Sequence, residues 1–274
     1  DDDLKRCLEV RKIFEMIDWD CEVFTLFQDN NLGPCKSQIA AINWFFEHEN
    51  EGVILEDDAL PDKTFYMFCY LLLDKYRYDH RVSMISGCNF QQQNKHGDAD
   101  YYFSKHTNTY GCAMWKRSWN HMDTNLVDWP DFLSAGGIDD LSNSNGVRRS
   151  YKEDFGNLYL NPKIGGWDYF FLFSSLKNGA VSIVPNVNLI KNIGFGPGAS
   201  HAINTESPHA MLETFNINFP LKHPSIISRN LIADEFESIT THYKRSIIEK
   251  IIYYSFSWRK LYYILRKKFL RWRK

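Results

Sequence analysis

Gly52-Val53-Ile54-Leu55-Glu56-Asp57-Asp58-Ala59-Leu60-Pro61 is the stretch from which the rest of the chain reads. Val53, Ile54 and Leu55 form a short, largely β-branched apolar run, the pattern of a buried strand. Three carboxylates follow at once. Pro61 is expected to block further sheet pairing, and Asp62 to cap the next helix. Strand, acidic tip and helix in that order put negative charge at the carboxyl end of a strand, where open α/β sheets bind ligands. Adjacent carboxylates repel one another unless a cation or hydrogen bonds offset the charge. A hard divalent ion shared between one or two carboxylates, waters and a substrate diphosphate does so. The plainer alternative is that Asp57 and Asp58 cap the following helix from a solvated turn.

Upstream, residues 3–17 read as an amphipathic helix, with Leu4, Leu8, Ile13, Phe14 and Ile17 at helical spacing. Residues 21–27 alternate as a strand, Asn30, Asn31, Gly33 and Pro34 make a turn, and residues 36–48 are helical. Downstream, residues 62–78 read as a helix and 81–86 as a strand. Helices alternating with strands predict an α/β fold with a largely parallel sheet. Residues 87–100 are polar and read as a mobile loop; residues 134–150, rich in Gly, Ser and Asn, read as a second loop, a lid or an insertion. Between them Tyr101, Tyr102, Phe103, Tyr110, Trp115 and Trp119 suit either a packed core or the C–H faces of a sugar.

Residues 165–178 start a helix after a pair of glycines. Asp168 falls in its first turn, where the helix dipole favours an anion. It is either a helix-start carboxylate or a general base. Short strands are expected at 181–184 and 187–190. The loop Asn192 to His201 carries Gly194, Gly196 and Gly198, then Ser200 and His201, which suits backbone N–H groups wrapped round a phosphate. Neither a P-loop signature nor a dinucleotide-binding glycine fingerprint is present.

Six cysteines show no CxxC pair and no Cys/His metal spacing, so buried free thiols in a reducing compartment are expected. Residues 1–20 are acidic and lack the apolar core of a signal peptide, and no run of 18 apolar residues occurs. Residues 258–274 hold eight basic residues and no acid. The chain's net −2 therefore divides into a +8 tail and a −10 body. Within 243–274, Trp258, Leu261, Tyr262, Leu265, Phe269 and Trp272 share a helical face. That pattern suits an anionic bilayer surface better than nucleic acid, or else a helix docked on the parent domain.

Several of these pieces together resemble the bacterial nucleotide-diphospho-sugar transferases of the GT-A fold, related in motif to N-acetylglucosaminyltransferase I. The resemblance runs over roughly residues 4–205. It is carried by Asn31-Leu32-Gly33, by Ala41 to Phe46, and by Gly52 to Pro61. Further on it is carried by Ile85 to Phe90, Tyr102-Phe103-Ser104, Tyr110 to Arg117, Trp167-Asp168, and Ile183 to His201. It implies a catalytic domain over 1–205, a connecting segment over 206–242 and a basic helical tail over 243–274. Relative to the family, the chain begins at the helix after the first β–α–β unit. Cys112 and Met114 stand where the family has Trp and Thr, and Pro197-Gly198 and Ser200 to Ala202 alter the last loop.

The resemblance further implies a metal-dependent, inverting transfer of a sugar from a nucleotide-diphospho-sugar donor to a hydroxyl of a glycan or lipid-linked acceptor. Asp58 would bind Mn²⁺ or Mg²⁺, with His201 as a further ligand. Glu56, Asp57, Asn31, Gly33, Trp115, Trp167, Gly194 and Gly196 would contact the donor, and Asp168 would be the base. With the tail, this implies a peripheral protein on the cytoplasmic face of the cell membrane. No nucleic acid partner is expected. The alternatives are a nucleotidyl- or phosphotransferase using the same acidic strand end, or an inactive fold serving as a membrane-associated assembly partner.

Overall fold

The structure, a computed structural model, describes residues 2–91, 93–195 and 212–242. Gly196, His201 and the basic tail at 243–274 lie outside the described residues. In chain order the helices are α1 (Asp2–Arg11), α2 (Pro34–His48), α3 (Phe65–Tyr76), α4 (Lys116–Trp119), α5 (Trp129–Ser134), α6 (Asn145–Leu160), α7 (Trp167–Lys177) and α8 (Leu231–Glu237). The strands are β1 (Glu51–Ile54), β2 (Ala59–Pro61), β3 (Val82–Ser86), β4 (Tyr101–Ser104), β5 (Cys112–Trp115), β6 (Val181–Pro185) and β7 (Ile190–Asn192).

Five strands form one mixed sheet in the order β1-β5-β3-β6-β4, flanked by helices on both faces. The α/β class is as expected; the largely parallel sheet is not. Only β3–β6 is parallel, while β1–β5, β3–β5 and β4–β6 are antiparallel. A strand buried on both faces reads as an apolar run whichever way its neighbours point, so periodicity could not reveal direction. β1, β3 and β6 nonetheless point the same way, and their carboxyl ends lie at one edge of the sheet with the start of β5.

Side-chain alternation sorts the core into two faces. From β5, Ala113 and Trp115 join the α3 side, where Phe65, Phe68, Leu72 and Tyr76 recur at helical spacing. Cys112 and Met114 face the other way, onto Ile42 and Phe46 of α2 and Trp167 and Phe171 of α7. A third layer is built on α7 by α5 and α6, whose Val147, Tyr151, Phe155 and Leu158 form one buried stripe. The Ser144 hydroxyl caps α6 by accepting from Val147 N.

Six local expectations are corrected. Residues 21–27 form no strand and Phe24 is exposed. Alternation makes a strand only where another strand pairs with it, and none lies beside this segment among the described residues. Pro61 does not end sheet pairing: β2 and β7 form a two-stranded ribbon in which Pro61, the last residue of β2, opposes Ile190. Pro is tolerated at such a strand end because no ladder donor is needed there. Asp62 does not cap α3; its Oδ1 accepts from the N–H of Thr64, the residue just before the helix, at 2.8 Å, and no side chain caps the first turn. Residues 87–100 are anchored, with Asn89 and Gln91 buried. The expected helix at 3–17 stops at Arg11 and continues as a 3₁₀ turn at Ile13–Met16. All six cysteines are free, but Cys7 and Cys21 are exposed rather than buried.

Candidate active-site cleft

Beyond the carboxyl end of β1 and the start of β5 the chain leaves a cleft of about 840 Å³. One wall is the start of α2, Gly33 to Gln38; the facing wall is Gly165 to Asp168 at the start of α7; Glu56 and Tyr110 come from the sheet edge between them. Both helices run back from this edge, so their N-terminal turns, with the positive ends of their dipoles, face it.

Glu56 follows β1 and is half-buried. Gln38 Nε2 donates to its Oε1 at 3.1 Å, and the Trp167 indole also bonds to it. Burial, then the charge of Asp58, pushes the Glu56 carboxyl up from its ordinary value, while the Trp167 bond opposes the rise. Asp168 opens α7. Burial pushes its carboxyl up as well, opposed by the backbone N–H groups of Tyr169 and of Asp168 itself. The net shift is therefore upward: desolvation outweighs the helix-start donors. Cys35 lies close enough to Asp168 that its thiol is pushed up, first by burial and then by that carboxylate.

Asp57 is exposed at the tip of the turn and does not line the cleft. Asp58 turns back under the β2–β7 ribbon. Its backbone carbonyl accepts from Ile193 N at 2.8 Å and its Oδ2 from Asn192 Nδ2 at 3.2 Å. Its Oδ1 is buried with no hydrogen-bond partner among the described residues. Gly194 lies directly on this carboxylate, and a Cβ there would overlap Asp58 Oδ2, so the position requires glycine. Asp57 and Asp58 thus do not cap the following helix. An unpartnered buried carboxylate oxygen calls for a donor or a cation.

Gly33 and Trp167 line the cleft. Asn31 sits just outside it, its Oδ1 accepting from Gly33 N at 2.8 Å and shaping the turn into α2. Trp115 is misplaced by the sequence reading. In the β1–β5 register Ile54 pairs with Cys112 and Glu51 with Trp115, so Trp115 sits at the far end of the sheet from the acidic tip. Its indole donates to Leu73 O in the α3 core. Two cleft residues were not singled out beforehand: Gln38, which holds Glu56, and Cys35. Both lie in the first turns of α2, where one helical face carries the core and the start of the helix carries the site.

Among the described residues no three His, Cys, Asp or Glu side chains come together as a metal cage. Asp58 Oδ1 could instead supply a single carboxylate to an ion whose remaining ligands are substrate phosphates and water. Set against known protein families and curated protein sequences, the chain matches no family model and no curated relative.

Proposed function

We propose that this protein is a metal-dependent glycosyltransferase that moves a sugar from a nucleotide-diphospho-sugar donor to a hydroxyl of a glycan or lipid-linked acceptor. The observation that carries this reading is the cleft itself. Glu56, just past the carboxyl end of β1, and Asp168, at the start of α7, line it from two different elements, and two residues beyond Glu56, outside the cleft lining, Asp58 has a buried carboxylate oxygen with no partner among the described residues. Asp58 would hold Mn²⁺ or Mg²⁺. When bound, that ion offsets the negative charge that builds on a departing nucleoside diphosphate.

In this reading Asp168 takes the proton from the acceptor hydroxyl as it attacks the anomeric carbon. A base with a raised pKa is better matched to a hydroxyl near neutral pH than an ordinary aspartate. Attack from the face opposite the leaving group inverts the anomeric configuration, the geometry that inverting glycosidases use with water. Glu56, fixed by Gln38 and Trp167, is placed to bind sugar hydroxyls. The basic stripe at 258–274 would hold the domain at an anionic membrane surface where a lipid-linked acceptor lies. In the described residues no helix is long and apolar enough to cross a membrane.

The test is calorimetric titration of the full chain with a panel of nucleoside diphosphates, with and without Mn²⁺, repeated on Asp58→Ala. Expected is Mn²⁺-dependent binding of one nucleotide that Asp58→Ala loses. Release of a nucleoside monophosphate or pyrophosphate from a nucleotide sugar, in place of a nucleoside diphosphate, would move the assignment to nucleotidyl or phosphoryl transfer.

A further inference from the structure

Six aromatic residues between 101 and 119 could have been core or sugar platform. Five of them, Tyr101, Tyr102, Phe103, Trp115 and Trp119, are buried in packed clusters or behind the sheet. Tyr110 is the one that opens on the cleft.

Its backbone is tied down on each side. The Tyr110 carbonyl accepts from Cys88 Sγ at 3.0 Å, the Asn108 carbonyl from Ser86 Oγ at 2.8 Å, and the Gly111 carbonyl from Gly87 N at 2.8 Å. The ring leans on the α3-side core. Burial and then the charges of Glu56, Asp58 and Asp168 push its phenol up from its ordinary value, and its hydroxyl has no hydrogen-bond partner among the described residues. A rigid aromatic face with an unspent donor, in an open cleft that Glu56 and Asp168 also line, binds a polyhydroxylated ring at little loss of side-chain freedom.

We propose that Tyr110 is a substrate-contacting residue that carries the sugar on its ring face and donates its hydroxyl to a sugar oxygen, and that the sugar taken here is neutral rather than acidic. This rests on the transferase reading above. The exclusion of acidic sugars follows from charge. A uronate carboxylate in a cleft lined by Glu56 and Asp168 would meet like charge from both, and among the described residues no arginine lines the cleft to pair with it. Lys36 and Lys163 line it as single exposed charges, without the paired donors with which arginine holds a carboxylate.

The experiment has two arms on the full chain, Tyr110→Phe, Tyr110→Ala and, as a control on the outer face of α3, Tyr66→Phe. The first is saturation-transfer NMR with the methyl glycosides of glucose, galactose, N-acetylglucosamine and glucuronate. The second is turnover of neutral and uronate nucleotide sugars. Expected is binding of a neutral glycoside and not of the glucuronate. That binding and kcat/KM should fall about ten-fold in Tyr110→Phe, as for loss of one neutral hydrogen bond. Both should be lost in Tyr110→Ala, and both should be unchanged in Tyr66→Phe. Tyr110→Ala binding like the native chain, the glucuronate binding as tightly as the neutral sugars, or no glycoside binding at all would each overturn the proposal. Neutral-glycoside binding that depends on Tyr110, without turnover of any nucleotide sugar, would overturn the transferase reading and leave the sugar site standing.

Discussion

Asp168 and Glu56 are both acids made weaker by their surroundings, and for the same first reason, burial. For Asp168 the consequence is kinetic. A general base works only when deprotonated, so kcat/KM should fall as pH drops through its raised pKa. The acid limb of the pH–rate profile should therefore lie above the ordinary aspartate value. Asp168→Asn should lower kcat at least about 100-fold and abolish that limb, while nucleoside diphosphate affinity stays within about two-fold. Equal loss of affinity would make Asp168 a binding residue and nothing more. The sequence named this residue but not the direction of its shift. The competing influences, helix-start N–H groups and an apolar surround, have opposite signs, and only packing sets their sizes.

At the scale of elements, α8 explains why the loop before Tyr110 holds its place. Asp234 accepts from Ser104 Oγ at 2.7 Å and from Lys105 N, and Arg229 pairs with it at 3.6 Å. His106 meets Ser238 at 3.0 Å and the Asp234 carbonyl at 3.1 Å. Glu237, fully buried, accepts from Gln91 Nε2 at 3.2 Å. Burial pushes the Glu237 carboxyl above its ordinary value, against the opposing charge of His106 and the bond from Gln91. The unfolded chain therefore gives up this proton at a lower pH than the folded protein does. The contribution of Glu237 to stability is fully present below the unfolded-state pKa. It declines as pH rises towards the folded-state pKa. Glu237→Gln should flatten that decline: the stability lost by the native chain on going from pH 4 to 7 should shrink in denaturant titrations. A Gln variant with an unchanged slope would show that Glu237 stays ionised in the fold. None of this network was legible beforehand, because its members are scattered from 91 to 238 and none carries a spacing signal.

For the whole molecule, charge and apolar surface are unevenly distributed. The body carries −10 and the tail +8. Leu8, Phe14, Trp19 and Phe24 are exposed before α2. A basic amphipathic stripe adds about 1 kcal/mol of attraction to an anionic bilayer for each Lys or Arg near the surface, and salt screens it. The full chain should therefore co-sediment with vesicles containing phosphatidylserine and not with purely zwitterionic ones, with most of the binding lost by 0.5 M salt. Binding indifferent to lipid charge would remove the tail as an electrostatic anchor.

Local patterns in the sequence determined the α/β class, helices α1, α2, α3 and α7, strands β1, β3 and β6, and the acidic turn at Glu56 to Asp58 with Asp168 as its distant counterpart, but not β2, β4, β5, α5, α6 or α8. Those features depend on near neighbours: apolar period, glycine and proline punctuation, and charge following a strand. What tertiary structure decided was pairing and reach. β5 lies antiparallel between β1 and β3, which carries Trp115 away from the cleft and brings Tyr110 to it. Residues 21–27 have a strand's alternation and no strand beside them. Asp58 differs from its neighbour Asp57 only in turning under the β2–β7 ribbon. Register and direction depend on contacts between residues dozens of positions apart, and a one-dimensional pattern carries no record of them.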